Sequence, residues 1–235
     1  MMAIPREARR ITYSTEIRLL KRTELSVYQK AIIIGAILGD GCLHENWSKT
    51  NSRLQIRQSS AQKEYVLWKY KALKPLVLTE PQHYRGTDSV WFRTISHPAL
   101  TELHTIFYPE GKKIIPDAIE TFLSDPLTIA VWFMDDGNAV MRKGKVCGYQ
   151  LNTQSFSKEE NELLAEVFAV VYDIYCTVEK NHSYYRLAIW QKRSRDTFSD
   201  LIRAHIIPSL EYKLGSIGDS SSPVETGSPL VIQCE

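Results

Sequence analysis

One design occurs twice in this chain: an apolar stretch that closes on a carboxylate and then a glycine. The first copy is Ile32-Ile33-Ile34-Gly35-Ala36-Ile37-Leu38-Gly39-Asp40-Gly41, and the second is Leu127-Thr128-Ile129-Ala130-Val131-Trp132-Phe133-Met134-Asp135-Asp136-Gly137. Asp40 and Asp136 stand 96 positions apart. Each follows about two turns of helix-compatible apolar residues. A carboxylate at the end of a buried helix is costly unless something there needs negative charge. Two of them on like helices describe a chain built twice around one polar site.

The rest of the sequence keeps the same rhythm. After Gly41 come strand-like runs at 42–46 and 52–59, joined across a polar tip at 47–51. In the second run Arg53, Gln55 and Arg57 alternate with Leu54 and Ile56. A helix is expected over 61–74, stopped at Pro75, then strands at 82–85 and 90–95 around Gly86, then a helix over 98–108. The second half repeats the order. Its motif helix covers 126–136, and strands follow at 138–142 and 149–154. A helix covers 158–173, strands lie at 177–180 and 185–191, and a last helix covers 195–206. Gln58-Ser59 and Gln154-Ser155 share the 96-residue offset of the aspartates. The fold class is therefore α+β, with αββαββα written twice.

The expected organisation is a basic arm or cap at 1–26, a first half at 27–116, a second half at 117–214 and a loose Ser/Gly/Pro-rich tail at 215–235. With 43% hydrophobic and 24% charged residues, wholesale disorder is excluded. Net charge is +2, and the last 21 residues hold three carboxylates with no Lys or Arg, so the body is mildly basic and compatible with nucleic acid. The four cysteines show no C-x-x-C spacing, so neither a zinc site nor a disulfide framework is expected, and a reducing compartment is the default. The longest apolar run, Ala31 to Leu38, is too short to span a membrane.

Gly35 and Gly39, four apart, would each cost about 1 kcal/mol in an exposed helix. They make sense where a second helix backbone comes close, with Ala130 in the matching part. Side by side, two such helices project Asp40 and Asp136 from one end. Carboxylates held together repel unless cations sit between them. Oxygen ligands with room for water and phosphate favour Mg²⁺, for which Mn²⁺ can substitute. A pair of such ions suits phosphodiester hydrolysis.

The two motifs resemble those of the LAGLIDADG homing endonucleases of the single-chain, two-motif type. Trp132 to Gly137, Leu151-Asn152-Thr153-Gln154-Ser155-Phe156, and Ile207-Pro208 through Tyr212-Lys213-Leu214 are similar to the subgroup of the yeast mitochondrial omega-intron endonuclease. The resemblance covers most of 27–214. It implies two pseudo-symmetric halves, saddle-shaped antiparallel sheets along the DNA major groove, and motif helices paired at the interface. It implies a monomer that cuts both strands of a long specific duplex site and leaves short 3′ overhangs. It puts a lysine beside each active site, at Lys113 and Lys213, and metal ligands at Asp40 and Asp136, with Gly39 and Asp135 contributing backbone carbonyls. An organelle is the setting by family habit, mitochondrion or chloroplast, or else a prokaryotic cytoplasm.

Alternating Arg and Gln suit groove reading, Arg to guanine and Gln to adenine. The candidate DNA contacts are Lys49, Asn51, Arg53, Gln55, Arg57, Arg85, Arg93, Lys143, Lys145, Gln150, Asn152, Arg186 and Lys192. Gln150, Asn152 and Gln154 alternate out of phase with Arg53–Arg57 under the 96-residue offset, so a bulge is expected near Gly148. The rival reading is a maturase that binds its own intron RNA on the same fold, with or without cleavage. A DNA-binding protein without catalysis would need a lost ligand, and both aspartates are present.

Overall fold

The computed structural model describes residues 14–46 and 49–215. Residues 1–13 of the expected arm, Trp47 and Ser48 of the first hairpin tip, and the tail from 216 lie outside them. The chain divides into two compact units. One comprises the residues up to Ile33 together with Gly41–Lys112; the other comprises Ile34–Asp40 together with the residues from Lys113 onward. The first motif thus lends its last turns to the second unit, which no linear division of the sequence contains.

A short helix, α1 (Thr15–Leu20), precedes the first repeat, capped by the Ser14 hydroxyl. The repeat then runs α2 (Val27–Leu38), β1 (Cys42–Glu45), β2 (Ser52–Ser59), α3 (Lys63–Ala72), β3 (Gln82–Tyr84), β4 (Ser89–Arg93) and α4 (Pro98–Phe107). After the one-turn helix α5 (Ile119–Phe122) comes the second repeat: α6 (Pro126–Asp136), β5 (Gly137–Arg142), β6 (Lys145–Leu151), α7 (Lys158–Tyr172), β7 (Thr177–Asn181), β8 (Tyr184–Ile189) and α8 (Lys192–Arg203). Each repeat makes one antiparallel sheet, with strand orders β1-β2-β4-β3 and β5-β6-β8-β7. The αββαββα order expected from the sequence is therefore present twice.

Local chemistry explains where the motif helices start. Ser26 and Gln29 cap α2 reciprocally: the Ser26 amide donates to Gln29 Oε1 (3.1 Å) and the Gln29 amide to Ser26 Oγ (3.2 Å). Asp125 caps α6 through the Leu127 amide (2.9 Å), and Pro126 sits where a missing N–H costs nothing. Helix α2 stops at Leu38, so Asp40 lies in the turn beyond it, whereas Asp136 is the last residue of α6.

In the first unit, Leu54, Ile56 and Phe92 turn inward, and the Phe92 ring meets Tyr70 of α3 edge-on at 5.8 Å. In the second, Phe133, Tyr149 and Phe198 meet with centroids 5.4–5.8 Å apart. Each such pair contributes about 0.5–1.5 kcal/mol beyond the area it buries.

Two expectations are corrected. Strand β6 runs Lys145–Leu151, earlier than 149–154, so Gln150, Asn152 and Gln154 do not form one strand face. The bulge near Gly148 is real: pairing steps from Val140–Gly148 to Met141–Val146 and leaves Cys147 as the extra residue. Below it, Lys143 (φ 49°) and Gly144 (φ 73°) make a two-residue left-handed turn whose twist matches the hairpin. The last helix begins at Lys192 rather than Arg195, because its first turn is wholly polar and shows no apolar periodicity. Cys147 and Cys176 are free thiols. No helix among the described residues is long and apolar enough to cross a membrane.

Candidate active site

The second unit brings the two motif ends together. A Cβ added at Gly35 would lie 2.5 Å from the Thr128 carbonyl oxygen and 2.7 Å from Val131 Cβ. One added at Gly39 would lie 2.4 Å from Asp135 Cβ. Only glycine admits α6 at this distance. The small residues read from the sequence are thus the condition for the two chain segments to converge.

Asp40, Asp135 and Asp136 form one electrostatic group. The Asp136 carboxyl is held well above the ordinary carboxylate range, first by burial, then by the negative charges of Asp40 and Asp135, against the pull of Lys113 and Lys213. Lys113 is shifted the other way, below the usual ammonium value. Burial is the larger cause and outweighs attraction to Asp136, Asp40 and Asp135.

Both lysines take backbone carbonyls at the motif ends. Lys113 Nζ donates to the Gly39 oxygen (2.9 Å). Lys213 Nζ donates to the Met134 oxygen (2.6 Å) and the Asp135 oxygen (2.9 Å). A lysine there satisfies carbonyls that a helix end leaves unpaired and offsets the negative end of the helix dipole. The carbonyls of Gly39 and Asp135, expected as metal ligands, are therefore lysine acceptors here, each with a second lone pair remaining.

Sequence reading missed the supports of this cluster. The Asp136 carbonyl accepts from both the Asn152 amide (3.0 Å) and Asn152 Nδ2 (2.8 Å). Asn152, expected as a DNA contact, is instead turned back onto the motif end, and Gln154 Nε2 donates to its side-chain oxygen (3.3 Å). Lys113 is anchored by its neighbour: the Ile115 amide donates to Glu160 Oε1 (2.8 Å), and the same carboxylate caps α7 through the Ser157 amide. The Ser157-x-x-Glu160 spacing was a visible capping signal; its second partner was not. Lys213 sits in the 3₁₀ turn Pro208–Leu214, tied down by Tyr149 Oη donating to the Leu214 oxygen (3.2 Å).

The other candidates scatter. Arg53, Gln55 and Arg57 share the face of β2 opposite Leu54 and Ile56, with Arg93 paired across from Gln55. Lys49, Arg85, Lys143 and Lys145 are exposed in or beside turns. Asn51 closes its hairpin, its amide donating to Asn46 Oδ1 (3.3 Å) while its carbonyl accepts from the Asn46 amide. Gln150 is only 8% exposed. Arg186 is paired with Glu179 (3.1 Å) and Lys192 with Asp196 (2.8 Å).

Among the described residues, no three His, Cys, Asp or Glu side chains are grouped to hold an ion by themselves. A cation here would complete its shell with water and a substrate phosphate, which is the habit of Mg²⁺. The carboxylate group fits such an ion: a divalent cation removes the repulsion that raises Asp136.

Residues 30–197 match a family model described as the LAGLIDADG DNA endonuclease family. The probable intron-encoded endonuclease 1 of Wickerhamomyces canadensis is 30% identical over 202 residues, covering 82% of this chain and 86% of its own. The cytochrome b mRNA maturase bI2 of Debaryomyces hansenii is 26% identical over 215 residues, covering 84% and 80%. Among solved structures, the homing endonuclease I-WcaI bound to its DNA recognition sequence is 27% identical with a TM-score of 0.77, covering 86% of this chain and 93% of that one.

Proposed function

Because this chain belongs to the LAGLIDADG DNA endonuclease family, we propose that it is an intron-encoded homing endonuclease that hydrolyses both strands of a long, specific duplex DNA site. The observation that carries the reading is the convergence of Asp40, Asp135 and Asp136 with Lys113 and Lys213 in one unit. Carboxylates buried together in a helix pair destabilise it unless a cation neutralises them.

In this reading Asp40 and Asp136 hold divalent cation, Mg²⁺ by choice of ligand chemistry, with Mn²⁺ as a substitute. When bound, the cation supplies an acidified water and a counter-charge for the leaving oxygen. Asp135 adds negative charge to the site and packs against Gly39. Lys113 and Lys213 neutralise charge that develops on the phosphate. Asn152 and Glu160 keep Asp136 and Lys113 aimed. The relative bound to its recognition sequence supports double-stranded DNA as the partner.

The direct experiment is incubation of the purified chain with a randomised duplex library, with and without Mg²⁺. Cleaved products sharing one sequence, seen only with the cation, are expected. Absence of cleavage at any sequence sinks the reading. A second function is favoured by the similarity to a protein named as a cytochrome b mRNA maturase: binding of the host intron RNA to assist its splicing. Stimulated splicing of that intron by the Asp40→Asn variant would establish it independently of cleavage.

A further inference from the structure

Lys113 and Lys213 reach the motif ends from segments outside the sheets and the α-helices. Residues 112–116 lie in neither helix nor strand, and Lys213 stands in the 3₁₀ turn Pro208–Leu214. An ammonium on a flexible four-carbon stem goes where its backbone is held, so the placement of each segment decides the placement of its charge. Each segment buries a residue just past its lysine: Ile115 is 4% exposed and Leu214 is 3% exposed. Each of these residues is tied by one side chain of the same compact unit.

Glu160 makes the first tie. The capping box of α7 occupies one carboxylate oxygen: Oε2 accepts from the Ser157 amide, while Ser157 Oγ accepts from the Glu160 amide (3.2 Å). The other oxygen, Oε1, accepts from the Ile115 amide (2.8 Å). A glutamine would bring one acceptor oxygen to two amides, whereas a carboxylate serves both. Tyr149 makes the second tie. Its ring packs against Phe133 and Phe198, and its hydroxyl donates to the Leu214 carbonyl (3.2 Å). The two ammonium groups differ in their own hold. Lys113 Nζ donates to the Gly39 carbonyl, whereas Lys213 Nζ takes both Met134 and Asp135. Lys113 therefore depends more on its tie.

We propose that Glu160 and Tyr149 are positioning residues, one for each lysine. Glu160 places Lys113 through Ile115, and Tyr149 places Lys213 through Leu214. These roles rest on the reading of the site as a nuclease centre. Because the ties are separate, loss of one disturbs one charge and spares the other.

Two measurements on the full chain test this, one of them without cleavage. In the metal-free protein, the rate at which an amine-reactive acetylating reagent labels each lysine is read by mass spectrometry. Glu160→Ala should raise labelling of Lys113 about tenfold and leave Lys213 unchanged, while Tyr149→Phe, which keeps the ring, should raise labelling of Lys213 about threefold and leave Lys113 unchanged. Cleavage is then followed strand by strand with Mg²⁺ and saturating enzyme, on the duplex recovered from the randomised library. Glu160→Ala should slow the strand that Lys113→Ala slows, by about tenfold, and add little to the Lys113→Ala variant. Tyr149→Phe should follow Lys213→Ala in the same way, by about threefold. Glu160→Gln keeps one acceptor and should fall between wild type and Glu160→Ala in both measurements. Ser157→Ala weakens the same cap but leaves Ile115 its acceptor, so labelling and strand rates should stay at the wild-type level. Labelling that rises at neither lysine or equally at both, equal slowing of both strands, or the Glu160→Ala pattern in Ser157→Ala overturns the positioning roles. Selective labelling in a chain that cuts no duplex would leave those roles standing and remove the nuclease.

Discussion

The two repeats are alike at one end and unlike at the other. Each motif ends in an aspartate beside a carbonyl that accepts from a lysine: Gly39 with Lys113, Asp135 with Lys213. On the sheets, the first repeat leaves Arg53 and Arg57 with unpaired donors, whereas the second ties Arg186 to Glu179 and lays Trp190 over Gly148. The difference teaches which parts of a doubled chain can drift. Two ends that share one set of charges constrain each other, because changing either alters the repulsion on both. Two sheet faces that share no charged group carry no such coupling.

The strongest way to break this comparison is to neutralise one aspartate at a time. Asp40→Asn and Asp136→Asn should each reduce double-strand cleavage about 100- to 1000-fold while duplex binding persists, measured by gel-resolved cutting and by mobility shift. A variant that cuts at the parental rate would remove its aspartate from the site. Next come the lysines. Lys113→Ala and Lys213→Ala should each slow cutting of one strand by about 100-fold, read as nicked circles from a supercoiled substrate. Equal slowing of both strands by either variant would show that the lysines are not divided between the two cuts.

Gly35→Ala asks how tightly the motif ends are joined. Its new methyl would overlap the Thr128 carbonyl and Val131. A loss of about 1–3 kcal/mol in denaturant midpoint analysis is expected, and none would mean that the backbones can part freely. A pH series separates charge from packing. Asp136 is raised by burial and by its like-charged neighbours. Its ionisation therefore costs stability in the metal-free protein. The cost is absent below the ordinary carboxylate pKa, grows as pH rises toward the raised value and stays constant above it. Asp136→Asn should raise the melting temperature at neutral pH and lose that advantage in acid; a pH-independent change would assign the effect to packing. The smallest effect is expected from Glu179→Gln, which releases Arg186 on the second sheet. Duplex affinity should change by no more than a few-fold, read by mobility shift at two salt concentrations; an unchanged affinity would leave Arg186 out of the interface.

Much of this was legible beforehand. The apolar run that ends in Asp-Gly marks the motif wherever it stands, and the 96-residue offset reveals the doubling. The alternation of Arg53, Gln55 and Arg57 against Leu54 and Ile56 is a strand read directly, since its period of two is local. The second sheet was harder. Cys147 enters β6 as an extra residue, a single insertion inverts which side chains share a face, and the strand ends at Leu151, which leaves Asn152 beyond it. Lys192 was read as a loop residue because a polar first turn carries no periodic signal.

What the sequence by itself determined was the set of chemical parts: two carboxylates at two helix ends and small residues where a neighbour must come close. Those are properties of residue type and spacing. Only the tertiary structure decided their partners. It gave Ile34–Asp40 to the second unit, turned Asn152 onto the Asp136 carbonyl, hung the Lys113 segment on Glu160, and paired Arg186 while leaving Arg57 open. Hydrogen bonds and charge pairs act over a few ångströms in space, and residues far apart along the chain reach that range only when the core has packed.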